Sequence, residues 1–175
     1  RDSDAVIRTA IESELLRGGQ VYFLHNRVFD IGRVEKRLND LFKHSSTPIE
    51  HSNTQSFEHS NIRTFEHSHP SPRIVVAHGQ MDSRTLARKM RDFERGEYDI
   101  LLSTTIIESG IDIPRANTIL VDQADRFGMA DLYQLRGRVG RSARQGYAYF
   151  LLPPSGVIDS EARERLDALK RHGGL

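Results

Sequence analysis

Residues 73–102 read RIVVAHGQMDSRTLARKMRDFERGEYDILL. Arg73–Ala77 is a short apolar run of β-branched character. Asp82 then stands ahead of a stretch in which Leu86, Met90 and Phe93 recur at helical spacing as far as Arg95. A second short apolar run, Tyr98–Leu102, follows. Two apolar strands joined by an amphipathic helix make a parallel β–α–β unit, because parallel neighbours need a crossover connection. The pattern continues in both directions. Upstream, Asp4–Arg17 is helical, with Val6, Ile7, Ala10, Ile11 and Leu15 on one side and Gly18–Gly19 as its stop. Gln20–Leu24 (QVYFL) is a buried strand, and Asp30 caps a helix that carries Val34, Leu38 and Leu41. Downstream, Thr118–Val121 and Tyr147–Leu152 are strands, Ala130–Leu135 is a short helix, and Ser160–Lys170 is a last one. Short apolar strands alternating with amphipathic helices predict a three-layer α/β domain with a mostly parallel sheet covered on both faces. Ligands of such sheets gather at the carboxyl ends of strands. That directs attention to residues 25–27, 78–81, 103–105 and 122–125.

Composition narrows the function classes. The chain has 175 residues, the span of one domain. Only 37% are hydrophobic and the mean hydropathy is -0.53, so either the surface is very polar or part of the chain lies outside the core. Residues 44–72 supply the second explanation. They are rich in Ser, His, Asn and Thr, and repeat with period eight: EHSNTQSF (Glu50–Phe57), EHSNIRTF (Glu58–Phe65), then EHS (Glu66–Ser68). So little apolar surface cannot offset the entropy of ordering, and the segment is expected to be a disordered surface insertion. Five of the eight His lie in it, but the repeat offers no rigid frame, and no metal ligands are assigned. Without Cys there is no disulfide scaffold, thiol catalysis or Cys-held zinc. No apolar run is long enough to span a membrane, and RDSDAVIRTA at the start has no signal-peptide core. The missing initial Met and the final GGL suggest an excised fragment of a cytoplasmic protein. A net charge of +1 excludes binding to nucleic acid by bulk charge alone. Of 25 basic residues only 4 are Lys. GC-rich coding produces that bias, and so does a need for planar, bidentate phosphate contacts.

No complete catalytic centre is present. There is no GxxxxGK[ST] phosphate loop, no GxGxxG after a strand, no GxSxG and no HExxH. Three other signals stand out. In QLRGRVGR (Gln134–Arg141), a helical stretch would put Gln134, Arg138 and Arg141 on one face, with Gly137 and Gly140 allowing close backbone approach. Two guanidiniums on one face suit an external polyphosphate, the requirement of an arginine finger. In STTIIESGIDIP (Ser103–Pro114), hydroxyls follow a strand end. Thr104 and Thr105 are able to donate to phosphate oxygens, and Asp112 to accept from a ribose hydroxyl or a metal-bound water; a capped turn using Thr105 and Glu108 accounts for the same residues. In HGQM (His78–Met81), Gly79 brings backbone N–H groups towards an anion or simply permits a tight turn.

HGQM, TTIIESGIDIP and QLRGRVGR in this order resemble the second RecA-like lobe of superfamily-two helicases. The match is nearest to the family of bacterial transcription-repair coupling factors, with RecG-type branch-migration helicases next. The resemblance covers nearly all of the chain outside the insertion. It implies a RecA-like domain over 1–175, with 157–175 beginning a helical element that continues further. It also implies roles: Arg138 and Arg141 as arginine fingers, Gln134, Gly110 and Asp112 facing the nucleotide, and Gly79, Gln80, Thr104 and Thr105 near the DNA backbone. ATP and Mg²⁺ would be held mainly by a first lobe, absent from this chain, which alone would be inactive. Double-stranded DNA and that lobe are the implied partners, with RNA polymerase and repair proteins reached through other domains and no membrane involved. A nucleic-acid-binding module without a motor is the alternative class. The family as a rule lacks a repeat like Glu50–Ser68.

Overall fold

A computed structural model describes residues 3–43, 71–104, 113–140, 145–153 and 155–171. Five α-helices and five strands are found among them, alternating except where the fourth strand follows the third directly. They are α1 (Ser3–Leu16), β1 (Gln20–Leu24), α2 (Ile31–Lys43), β2 (Ile74–Ala77), α3 (Ser83–Glu94), β3 (Ile100–Ser103), β4 (Ala116–Val121), α4 (Met129–Arg136), β5 (Tyr147–Phe150) and α5 (Ser160–Arg171). The strands form one sheet in the order β2-β3-β1-β4-β5. Every pairing is parallel, with Val21 opposite Ile100 on one side and Thr118 on the other, and Thr118 opposite Tyr147. All carboxyl ends therefore share one edge and all amino ends the other.

Alternation along the strands builds the layers. Val21, Phe23, Ile100, Leu102 and Leu120 point to one face, where Ile7, Ala10 and Ile11 of α1 and Val34, Leu38 and Phe42 of α2 cover them. Leu24, Ile119 and Val121 point to the other, beneath Leu132 and Leu135 of α4 and Leu169 of α5. Val75, Ala77 and Leu101 pack there too, against Met90 and Phe93 of α3. The expected three-layer architecture with a parallel sheet is what forms. Asp82 caps α3, its Oδ1 accepting from Thr85 N at 2.9 Å. Gln20 is buried because its Nε2 donates to Phe93 O and Tyr98 O, both at 2.7 Å, which fastens the start of β1 to the turn between α3 and β3. Residues 44–70, most of the expected insertion, lie outside the described residues. Its last positions, Ser71 and Pro72, lead into β2, and Pro72 is buried.

Two local expectations change. Leu41 of α2 is only partly buried, and Phe42 is the core residue of that turn. Asp30 precedes α2 as expected, and its backbone oxygen accepts from Arg33 N. Its carboxylate, however, is engaged by His25 rather than spent on a cap.

Candidate nucleotide and nucleic-acid interface

At the carboxyl edge, β1 ends in His25, which is 1% exposed. Its Nδ1 lies 2.8 Å from Asp122 Oδ2, just past β4, and its Nε2 lies 2.7 Å from Asp30 Oδ1, just before α2. A neutral imidazole donates from one nitrogen only, so a carboxylate at each nitrogen selects the imidazolium. The Asp122 hydrogen bond accordingly raises the His25 pKa above 6.5 against the opposing effect of burial, with Asp30 adding to the rise. The same contact lowers Asp30 below its usual 3.8. The charged cluster ties the ends of β1 and β4 to the start of α2.

Gly79 and Gln80 follow β2 on this edge, in a turn where Met81 N donates to His78 O, and both are exposed. Thr104 follows β3 but is only 4% exposed. It belongs to the packed strand-end layer rather than to the surface offered to a ligand. Thr105, Gly110, Asp112 and Arg141 lie outside the described residues.

Arg138 is on the opposite edge. From Asp122 the chain makes a 3-10 turn at Ala124–Arg126 and enters α4 at Met129. Leu132 and Leu135 face the sheet and Gln134 faces solvent. The helix stops at Arg136. Gly137 N donates to Tyr133 O, Arg138 N donates to Leu135 O in a turn, and Gly140 takes φ +77°, where side chains are rarely tolerated. Gln134 and Arg138 thus do not share one helical face. The reason is topological: a crossover to a parallel strand must descend to that strand's amino end, and β5 begins at Tyr147. Arg138 is half-buried there, and among the described residues it enters no ion pair.

That turn is held by contacts the sequence reading did not foresee. A Cβ on Gly146 would lie 2.7 Å from Gly140 Cα and 2.9 Å from the carbonyl carbon of Val139, so the two limbs around Arg138 touch backbone to backbone. Gln145 O accepts from Arg17 Nη1 at 2.8 Å. Arg17 also donates through Nε to Glu14 Oε2 at 3.0 Å and pairs with it through Nη2, while its guanidinium lies 4.9 Å from the centre of the Tyr147 ring. Glu14, 1% exposed, accepts from Thr118 Oγ1 as well. One signal was available in the sequence: Glu14 falls seven residues after Ile7, on the apolar face of α1, where a charge needs a partner.

Known proteins resemble this chain in sequence and in fold. The chain is 44% identical over 175 residues to the transcription-repair-coupling factor of Haemophilus influenzae, covering all of this chain and 13% of that protein. It is 45% identical over 164 residues to the one from Staphylococcus epidermidis, covering 94% of this chain and 12% of the relative. It therefore spans about an eighth of these relatives. The structure of RecG bound to a three-way DNA junction superposes with a TM-score of 0.69 at 29% identity, over 98% of this chain and 19% of that one. Residues 36–143, more than half of the chain, match the helicase conserved C-terminal domain. The chain belongs to the helicase conserved C-terminal domain family.

Proposed function

We propose that this chain is the second motor lobe of an ATP-driven translocase on double-stranded DNA that acts in cytoplasmic transcription-coupled repair. The observation that carries the reading is Arg138: a half-buried guanidinium on a backbone-pinned turn at the amino edge, with no carboxylate partner among the described residues. A cation built in this way, on a lobe of a helicase family, fits a phosphate brought by another part of the protein. Arg138 and Arg141 act as fingers on the γ-phosphate of ATP, where charge develops as the phosphoryl group leaves. Gln134, Gly110 and Asp112 supply further nucleotide contacts. Gly79 and Gln80, at the carboxyl edge, contact the DNA backbone. Contacts to phosphate alone read no sequence, as movement along DNA requires. Thr105 is a further contact to the DNA backbone, while Thr104 sits within the packing of its strand end.

The separation of the two edges gives the lobe a mechanical part. ATP pulls on the amino edge and DNA is gripped at the carboxyl edge, so closing on nucleotide swings the grip. Among the described residues no three metal-ligating side chains converge, and no residue of this chain is assigned to Mg²⁺. A first lobe supplies the metal, the triphosphate cradle and the group that orients water. RNA polymerase and repair proteins are engaged through other domains. The names and identities of the curated relatives favour a coupling factor over a RecG-type parent.

The test compares DNA-stimulated ATP turnover by this chain alone and by the full-length protein. We expect none from the chain and DNA-dependent turnover from the whole. Turnover by the chain, or its absence from the full-length protein, overturns the two-lobe reading.

A further inference from the structure

We infer that Arg17, held by Glu14, is a positioning residue for Arg138, an inference that rests on the proposed finger role of Arg138. An unbroken series of contacts joins the two residues. Glu14 Oε2 is held from two sides, by Thr118 Oγ1 on β4 and by Arg17 just past the end of its own helix. Arg17 also donates from Nη1 to a backbone oxygen, Gln145 O. The fork geometry of guanidinium makes both contacts in one plane, over the Tyr147 ring. Gln145 is bonded to Gly146, whose Cα meets the backbone of Gly140 and Val139 with no room for a side chain. Val139 is the residue after Arg138 and packs among the apolar residues under α4.

Each contact is more than helix packing requires. A buried carboxylate is costly at the end of α1, and Glu14 is held there through Oε2 alone, which takes Thr118 Oγ1 and two Arg17 nitrogens, while its Oε1 has no hydrogen-bond partner among the described residues. The arrangement gives α1 a rigid, directional hold on the limb returning from the Arg138 turn. A phosphate contact made only in the transition state depends steeply on position, so this hold acts on turnover rather than on nucleotide binding.

The experiment uses the full-length protein with DNA-stimulated ATPase kinetics and four variants. Glu14→Gln with Arg17→Leu removes the pair without leaving a lone buried charge. Gly146→Ala leaves the pair intact but forces the two limbs apart. Arg138→Ala is the reference, and the last variant combines it with Glu14→Gln and Arg17→Leu. The expected result is a fall in kcat of about 10–100-fold for the first two, with the KM for ATP within about twofold. The combined variant should be no slower than Arg138→Ala, because Arg17 acts only through that side chain. Unchanged kcat in the first two variants, losses confined to melting temperature, or a combined variant in which the losses multiply, overturns the positioning role while leaving Arg138 as a finger. Near-normal turnover by Arg138→Ala overturns the finger reading and this inference with it.

Discussion

Replacing Asp122 with Asn removes one charge from the His25 cluster and keeps its shape. The amide oxygen still accepts from His25 Nδ1, but the buried ring then faces one carboxylate instead of two. Because the Asp122 hydrogen bond is the largest cause of the raised pKa, His25 should titrate lower in the variant. A hydrogen bond to a charged group is worth about 1.5–3 kcal/mol. With roughly 2–4 °C of melting temperature per kcal/mol at this chain length, the variant should melt ~3–12 °C lower near pH 6. The sign with pH is fixed. A group whose pKa is raised on folding stabilises fully below its unfolded value, here 6.5, and loses that contribution as pH rises through the folded value. Asp30, lowered on folding, contributes above 3.8 and loses its share in acid. The gap between wild type and variant should therefore be widest between these limits and close in alkali. Thermal melts across that range, with an NMR titration of His25, read both quantities. A gap that widens in alkali, or a wild-type His25 titrating below 6.5, refutes the imidazolium.

Asp82→Ala should lower the melting temperature near neutral pH by removing the acceptor for Thr85 N. Since that hydrogen bond also lowers the Asp82 pKa below 3.8, the difference should vanish as the carboxylate protonates in acid, as melts at both pH values would report. Gln20→Leu takes the donor from Phe93 O, which keeps Gly96 N, and from Tyr98 O. With one buried carbonyl left short of a donor, denaturant unfolding should show a loss of about 1–3 kcal/mol.

Much of the fold was legible because local and global signals agree. Gln20–Leu24 forms the central strand with the bounds its apolar run suggests, and Asp82 caps the helix it precedes. Those features depend on residues within one helical turn or strand. The elements misread depend on partners far along the chain. His25 and Asp122 are 97 residues apart, and no spacing rule joins them or diverts Asp30 from capping. Glu14 was passed over because its partner, Thr118, lies 104 residues away. In the arginine segment the residues were recognisable but their placement was not. Gly137 and Gly140 were read as allowing close approach, which Gly140 does against Gly146, while Gly137 ends the helix before Arg138. Gly79 and Gln80 do lie at a carboxyl end, where the sheet directs attention, whereas Arg138 lies at the amino edge, because residues leading into a parallel strand sit at its amino end.

In the proposed function the Arg138 guanidinium stabilises charge developing on a transferred phosphate. Single-turnover ATP hydrolysis by full-length Arg138→Ala on duplex DNA tests it most directly. The account predicts a rate lowered about 10³-fold or more, with ATP and DNA affinities close to those of the wild type. A rate near that of the wild type at saturating ATP contradicts it.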